Sequence, residues 1–493
     1  MLKINNLSLE VRFSNALAYR SRSTYMSESY TPESGVPYAQ WLKRCYTVAK
    51  FGGSSLADAA QIKKVIDIVR ADPSRRSIVV SAPGKGDLER YSDGRKITDL
   101  FEDWQQSVAT RRCSKAVQSV IRARYRDIVA ELGIQLDIRM ELDEVAEQIT
   151  AGAPRDYAVS RGEYLCAKIV ALALGYNFVD VADCISFRDN RLPDGTSRYR
   201  RNDKKLRSAV HGRPVVIPGF YGRARDGSIR TFSRGGSDIT GAIVARALNV
   251  NLYENWSDTP LRTADPRIVP KAKPIRKLTY PELRDFAYCG ANVFHEDAMF
   301  PVQEAKIPTR IANTNDPADP GTIVISQNGE SLGAIDVIGI AGRRGMSAFT
   351  IKKPGMKTPG MKTEVGTTKK ALGIFERRGI SIEHAPTGVD SIQIVTALAK
   401  EKSEQAKQIS DDVKHRCLAD SVSVRDGLAL ISLIGREMRM TPVLAKAFVA
   451  LAGAGIETHM TPQAADNSNV TIGVKDSDYE QATRELHEAF CST

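Results

Sequence analysis

Lys50-Phe51-Gly52-Gly53-Ser54-Ser55 is the stretch on which the reading of this chain turns. It follows a short apolar run, Thr47-Val48-Ala49. It precedes Leu56 to Arg70, where Ile62, Val65, Ile66 and Val69 recur at helical spacing. The pattern predicts a strand, a turn carrying a lysine, two glycines and two hydroxyls, and then a helix. Paired glycines let backbone N–H groups close on an anion with no Cβ in the way, and a helix N-terminus behind them adds a favourable dipole. The lysine supplies a compact charge suited to phosphate oxygens. Alone, the stretch reads equally well as a tight strand-to-helix turn with a solvated lysine, so its surroundings decide.

Downstream, Arg76 to Gly84 predicts a buried strand ending in small residues, the pattern of a parallel strand with its loop at the C-terminal edge. The loop carries Lys85, Asp87, Lys96, Thr98 and Asp99. It is not a P-loop, because Gly86 follows Lys85 where Ser or Thr is required. Leu100 to Ile149 is helical in spacing and reads as scaffold. Ser160-Arg161-Gly162-Glu163 is expected to open the next helix, either as an N-cap with its capping-box partner or as a carboxylate holding an ammonium group. Arg213 to Gly222 predicts another buried strand, followed by a hairpin through Arg225-Asp226-Gly227. Then Ser233-Arg234-Gly235-Gly236-Ser237-Asp238 leads into an Ala-rich helix, a second glycine pair with an arginine fork for an anion.

Length and composition fit this picture. At 493 residues about three domains are expected, and 42% apolar with 26% charged residues describes an ordinary globular protein. The net charge of +12 suits anionic small molecules. Its scattered placement, without a basic-aromatic stripe, argues against nucleic acid as a partner. No apolar run approaches the length of a membrane span. Cys45, Cys113, Cys166, Cys184, Cys289, Cys417 and Cys491 show no CxxC pair or metal spacing, so reduced thiols in the cytoplasm are expected. Residues 1–45 are poor in acids and read as an extension, or alternatively as a transit peptide.

Taken in order, Lys50 to Ser55, Ser81 to Lys85 with Lys96 to Leu100, Ser160 to Glu163, Pro218-Gly219-Phe220 and Arg234 to Asp238 resemble the aspartate kinase family. Ala264 to Val269, Gly290 to His295 and Ile311 to Thr314 continue the resemblance. It implies a catalytic αβα sandwich of the amino-acid-kinase type over 46–330, followed by two α+β ferredoxin-like ACT domains at 331–410 and 411–493. The strand near 335–340 is expected to cross over to the second of these.

The implied activity is transfer of the γ-phosphoryl group of ATP, with Mg2+, to the β-carboxylate of L-aspartate. That is the first step of aspartate-family biosynthesis, leading to lysine and threonine, under feedback by an amino-acid effector. By resemblance Lys50, Gly52, Gly53 and Ser54 would hold phosphates, with Asp238 orienting the lysine. Arg234 and Ser237 would hold the substrate carboxylates with help from Thr98, and Glu163 would accept from the α-ammonium group. Ser257, Asp258, Arg262, Arg267 and Asn292 would line the nucleotide. No protein-held metal site and no general base are expected, since the attacking carboxylate is already ionised. ACT pairing implies at least a homodimer.

The nucleotide side departs from the family pattern. Thr259 to Thr263 is one residue short and lacks a tyrosine, with Arg262 near its place, and Asn292 stands where the family commonly has lysine. Either Arg262, Lys271 or Lys273 replaces that charge, or the chain is a divergent paralogue with another substrate or a binding role. In the C-terminal third, Ile335 to Ile340, Ala348 to Ile351, Ile380 to His384 and Ser391 to Ala397 are expected as separate β-runs around the helix at Val365 to Arg378. Met361, Val365, Gly366, Ser381, Glu383 and Asp390 resemble the effector-binding edge. A tandem Pro-Gly-Met-Lys-Thr repeat at 354–363 lengthens the loop before it.

Overall fold

The computed structural model describes residues 46–187, 196–232, 235–258, 260–291, 294, 298–326, 333–354, 364–398, 403–464 and 466–492. The sheet that carries the glycine motifs begins with β1 (Thr47–Phe51), β2 (Arg75–Val80), β3 (Asn177–Phe178) and β4 (Val215–Pro218). A separate hairpin, β5 (Tyr221–Arg223) and β6 (Ile229–Thr231), follows. The sheet then resumes with β7 (Leu252–Ser257), β8 (Lys277–Thr279), β9 (Thr309–Asn313) and β10 (Thr322–Ile325). Its order is β3-β4-β2-β1-β7-β9-β10-β8. Every pairing is parallel except β9 with β10.

Strand alternation divides the sheet's two faces. Ala49, Phe51, Ile78 and Val80 pack on helices α1 (Ala59–Ala71), α2 (Ile97–Ala109), α3 (Lys115–Leu132), α4 (Ile138–Thr150) and α5 (Arg155–Leu174). After α6 (Val181–Cys184) and α7 (Thr196–Val210) comes α8 (Gly236–Leu248), which receives the side chain of Lys50 on the opposite face. Helices α9 (Tyr280–Tyr288) and α10 (Met299–Glu304) complete this part. Burial of both faces explains why the central strands read as apolar runs.

The C-terminal part is one antiparallel sheet of order β12-β11-β13-β14, with β11 at Ile335–Lys352, β12 at Ser391–Thr396, β13 at Ser421–Arg436 and β14 at Asn469–Lys475. Its helices are α11 (Thr367–Arg377), α12 (Ser403–Arg416), α13 (Met440–Gly453) and α14 (Tyr479–Cys491). The runs expected separately at Ile335 to Ile340 and Ala348 to Ile351 are a single strand. The polar Arg343-Arg344-Gly345 between them sits where the register with β13 shifts. Three cores include residues of this strand, the smallest holding Met346 and Ala348 with Val395, Leu428, Leu430 and Met460. Ile340 joins the one built from the C-terminal half of β13, β14, α13 and α14. Phe349 and Ile351 join the one built from β12, α11 and α12. Ile380 to His384 forms no strand, and His384 contributes only an isolated bridge to Val395.

Candidate active site

From β1 the chain passes to β2 on one side, while β7 lies on the other. The carboxyl ends of β1 and β7 therefore flank a switch point, where open α/β sheets form their ligand crevice. Lys50 and Asn255 are direct partners across these strands. The Lys50 Nζ lies 2.5 Å from Asp238 Oδ1 and donates to Asn255 Oδ1 at 3.4 Å. Asn255 Nδ2 donates to the same Asp238 oxygen at 3.2 Å. With Lys50 7% and Asn255 1% exposed, the ammonium is fixed in direction as well as charge. Asp238 lies in the first turn of α8, where the helix dipole favours a carboxylate. The Tyr253 hydroxyl donates to its carbonyl.

The glycine pair differs in detail from the sequence reading. Gly53 to Leu56 is a 3-10 turn, and α1 begins only at Ala59, capped by Asp58. The full helix dipole thus starts one turn further on. Gly53 is needed because the β2 loop lies against it. Gly84 donates to its carbonyl at 2.8 Å, and a Cβ on Gly53 would meet the Ala82 carbonyl at 2.9 Å.

On the β2 side, Ser160 to Glu163 does not open a helix. Those residues lie inside α5, which starts a turn earlier at Arg155 and has Pro154 as N-cap. Ser160 donates to the Tyr157 carbonyl instead of capping. Gly162 admits Ala82, whose Cβ would stand 2.7 Å from a Cβ there. Glu163 is buried, and its Oε2 has no hydrogen-bond partner among the described residues. Burial raises its pKa to about 8, against the pull of the Ala82 N–H, its own N–H and Arg161. Ser237 is buried against Gly219, and Thr98 stands in the first turn of α2. Arg234 lies outside the described residues.

Two residues were missed in the sequence. Asn255 completes the Lys50 group. Arg124 is 1% exposed and donates to the carbonyls of Gly84 (2.7 Å), Arg95 (2.8 Å) and Ala57 (3.3 Å), clamping the segments that border the crevice. Burial lowers its pKa. Arg124 falls on the apolar stripe Val117, Val120, Ile121, Tyr125 and Ile128, and that position was the available signal.

Comparison with known proteins agrees with this geometry. Residues 46–313 match the model of the amino acid kinase family, and 431–490 match an ACT domain. Aspartokinase 3 of Bacillus subtilis is 33% identical over 457 residues, covering 90% of this chain and 98% of its own length. The chain belongs to the aspartokinase family. The crystal structure of Clostridium acetobutylicum aspartate kinase is similar, with a TM-score of 0.80, 38% identity, and coverage of 90% of this chain and 100% of that one. So is Escherichia coli aspartokinase III in complex with aspartate and ADP, with a TM-score of 0.70, 25% identity, and coverage of 90% and 99%.

The remaining residues expected from the aspartokinase pattern are less convergent. Ser257 and Asp258 end β7 beside the crevice, their side chains 3.3 Å apart. Arg262 donates to the Ala272 carbonyl, and Arg267 pairs with Asp265 at 2.6 Å. Neither arginine contacts the Lys50 group among the described residues. Asn292 lies outside them, as do Met361 and residues 355–363 of the repeat. Of the effector set, Val365 is 96% exposed and Gly366 is the left-handed N-cap of α11. Ser381 is exposed, as is Asp390, whose carbonyl accepts from the Lys353 N–H. Glu383 pairs with Arg343 at 3.1 Å and bonds through its backbone to Val395, five residues or about 17 Å along the chain from Asp390. Glu383 and Asp390 thus bond at different points along the sheet. Among the described residues, no group of three His, Cys, Asp or Glu side chains could hold a metal, and no helix is long and apolar enough to cross a membrane.

Proposed function

We propose that the chain is an ATP-dependent aspartate kinase. It transfers the γ-phosphoryl group to the β-carboxylate of L-aspartate and gives 4-phospho-L-aspartate and ADP. The observation that carries this reading is the buried Lys50–Asp238–Asn255 group at the β1/β7 switch point, with a buried carboxylate on the neighbouring side, Glu163, whose Oε2 has no hydrogen-bond partner among the described residues. A carboxylate oxygen of aspartate attacks the γ-phosphorus and the bond to the ADP oxygen breaks. No proton moves, because the nucleophile is already ionised. What the protein supplies is placement and charge neutralisation.

In this reading Lys50 neutralises phosphate oxygens, held in direction by Asp238 and Asn255. Gly52, Gly53 and Ser54 offer N–H and hydroxyl donors. Glu163, once ionised, accepts from the α-ammonium group, while Ser237, Thr98 and Arg234 hold the carboxylates. Ser257, Asp258 and Asn292 border the nucleotide, with Arg262 and Arg267 further out. Mg2+ would sit mainly among phosphate oxygens and water, as that ion prefers. Asp238 and Asp258 are the nearby carboxylates, and Asp238 Oδ2 makes no hydrogen bond among the described residues. The ion would neutralise charge on the transferring group. Residues 46–330 form the catalytic unit, and 331–410 and 411–493 the ACT units, which bind an amino-acid effector and join copies of the chain in the cytoplasm. The effector edge split along one sheet fits a site completed by a second copy.

Hydroxylamine trapping tests the reaction. Aspartyl hydroxamate should form only with ATP and aspartate together. No hydroxamate from protein that binds ADP would reject the kinase reading in favour of a binding role.

A further inference from the structure

We infer that the second ACT unit positions the nucleotide side of the site, and that His487 on α14 does so by holding Thr263. The inference rests on the reading above, in which the segment leaving β7 after Asp258 and the segment approaching Asn292 border the nucleotide. Thr263 stands five residues past Asp258, and its polar groups are bonded to two partners in the ACT sheet and its helix. Its carbonyl accepts from the Ile340 N–H of β11 at 2.7 Å. Its hydroxyl lies 2.9 Å from His487 Nε2 and accepts from the Lys273 N–H at 3.1 Å.

The same tier reaches two further points. Arg484, one turn before His487, donates to the Ile268 carbonyl at 3.2 Å. Gly342 and Arg343 of β11 pack so closely on Gly290 that a Cβ there would meet the Gly342 carbonyl at 2.4 Å. Gly290 has φ +115 and stands two residues before Asn292. Both nucleotide-side segments are thus fixed by α14 and by the part of β11 from Ile340 to Arg343, where Ile340 joins the core of β13, β14, α13 and α14.

A histidine serving only its own core would be expected to bond within it. His487 is 4% exposed, and its hydrogen bond crosses to the catalytic unit. His487 is therefore a positioning residue: it touches neither substrate nor nucleotide, and it acts through Thr263.

Full-length His487→Leu and His487→Gln test this. Leucine keeps the bulk and loses the hydrogen bond. Glutamine keeps a polar group near the position of Nε2. Titration calorimetry with ADP should show His487→Leu binding about fivefold more weakly, with the KM for ATP rising in parallel, the aspartate KM within about twofold of the parent, and His487→Gln restored. ADP binding by His487→Leu equal to the parent would overturn the inference. So would glutamine behaving like leucine, or both KM values rising together with a falling Tm. If the parent makes no hydroxamate, the kinase reading fails, while the ADP titrations still decide this one.

Discussion

The crevice and the ACT edge handle polar residues in opposite ways. At the crevice Lys50, Asn255, Ser237 and Glu163 are buried, and Lys50, Asp238 and Asn255 converge within hydrogen-bond distance in one chain. Along the ACT sheet the described candidate effector residues are mostly exposed, and two of them, Glu383 and Asp390, bond at different points of the β11/β12 region. Burying a charge without its partner costs several kcal/mol, so Lys50 is paired within the chain, while Glu163, with Oε2 unpartnered among the described residues, is pushed toward its neutral form. An exposed rim has no such requirement and can wait for a ligand or a second chain. On the proposed reading the crevice is pre-formed by folding, whereas the effector edge would be completed by a second copy.

The largest effect that would break this contrast comes from Lys50. Lys50→Met should lower the hydroxamate rate by about 10³-fold or more, because a charge-assisted phosphate contact is removed where water is scarce. Asp238→Asn should also lower the rate. It should destabilise the fold by about 3 kcal/mol as well, since the lysine is left buried without its counter-ion. A Lys50→Met enzyme keeping a tenth of the parent rate would mean the crevice is not the phosphate site.

Glu163 gives a sharper, two-signed test. In the folded chain it holds its proton up to about pH 8, whereas unfolded it titrates near 4.5. Between those values the unfolded chain binds fewer protons, so stability falls as pH rises through that window. Glu163→Gln abolishes the loss. Its Tm should equal the parent's near pH 4.5 and exceed it at pH 8, by an amount equivalent to a few kcal/mol. Its aspartate KM should rise about 10-fold or more, as an ammonium partner is lost. A variant that is both less stable at pH 8 and normal in KM would make Glu163 a structural acid.

These residues differ in how far the sequence revealed them. The glycine pairs, the strand ends and the order of motifs were readable because β1, β2, β4 and β7 are buried on both faces and punctuated by turns. Asn255 was not, because which neighbour it meets depends on the β1/β7 register, and register is a tertiary fact. The start of α5 was misplaced because Ser160 and Glu163 satisfy a capping box by type, although Tyr157 to Val159 already continue the helix behind them. The single strand β11 was hidden by Arg343-Arg344-Gly345. That polar run looks like a break, yet the backbone carries through it with a register shift.

Arg124 lies between the two extremes, a buried cation whose hydrogen bonds go to three carbonyls and whose guanidinium lies 5.9 Å from the Tyr91 ring centroid. Lysine cannot span three carbonyls from separate segments with one compact ammonium. Arg124→Lys should cost about 2 kcal/mol in denaturant unfolding and lower kcat about 10-fold as the Gly84 loop loosens. Unfolding loss with unchanged kcat would confine Arg124 to the scaffold.

The smallest expected effect is the most telling about the ACT edge. Asp390 is exposed, and its structural contact is made by the backbone carbonyl rather than the carboxylate. Asp390→Asn and Val365→Ser should therefore leave Tm within about 1 °C of the parent and leave kcat unchanged without effector. They should alter only the response to added amino acid, measured as the concentration giving half inhibition. If a second copy completes the edge, that response should also depend on protein concentration, weakening on dilution as copies separate. A Tm falling by several degrees in Asp390→Asn would show that the edge is already complete and load-carrying within one chain. The contrast with the crevice would then be one of exposure alone.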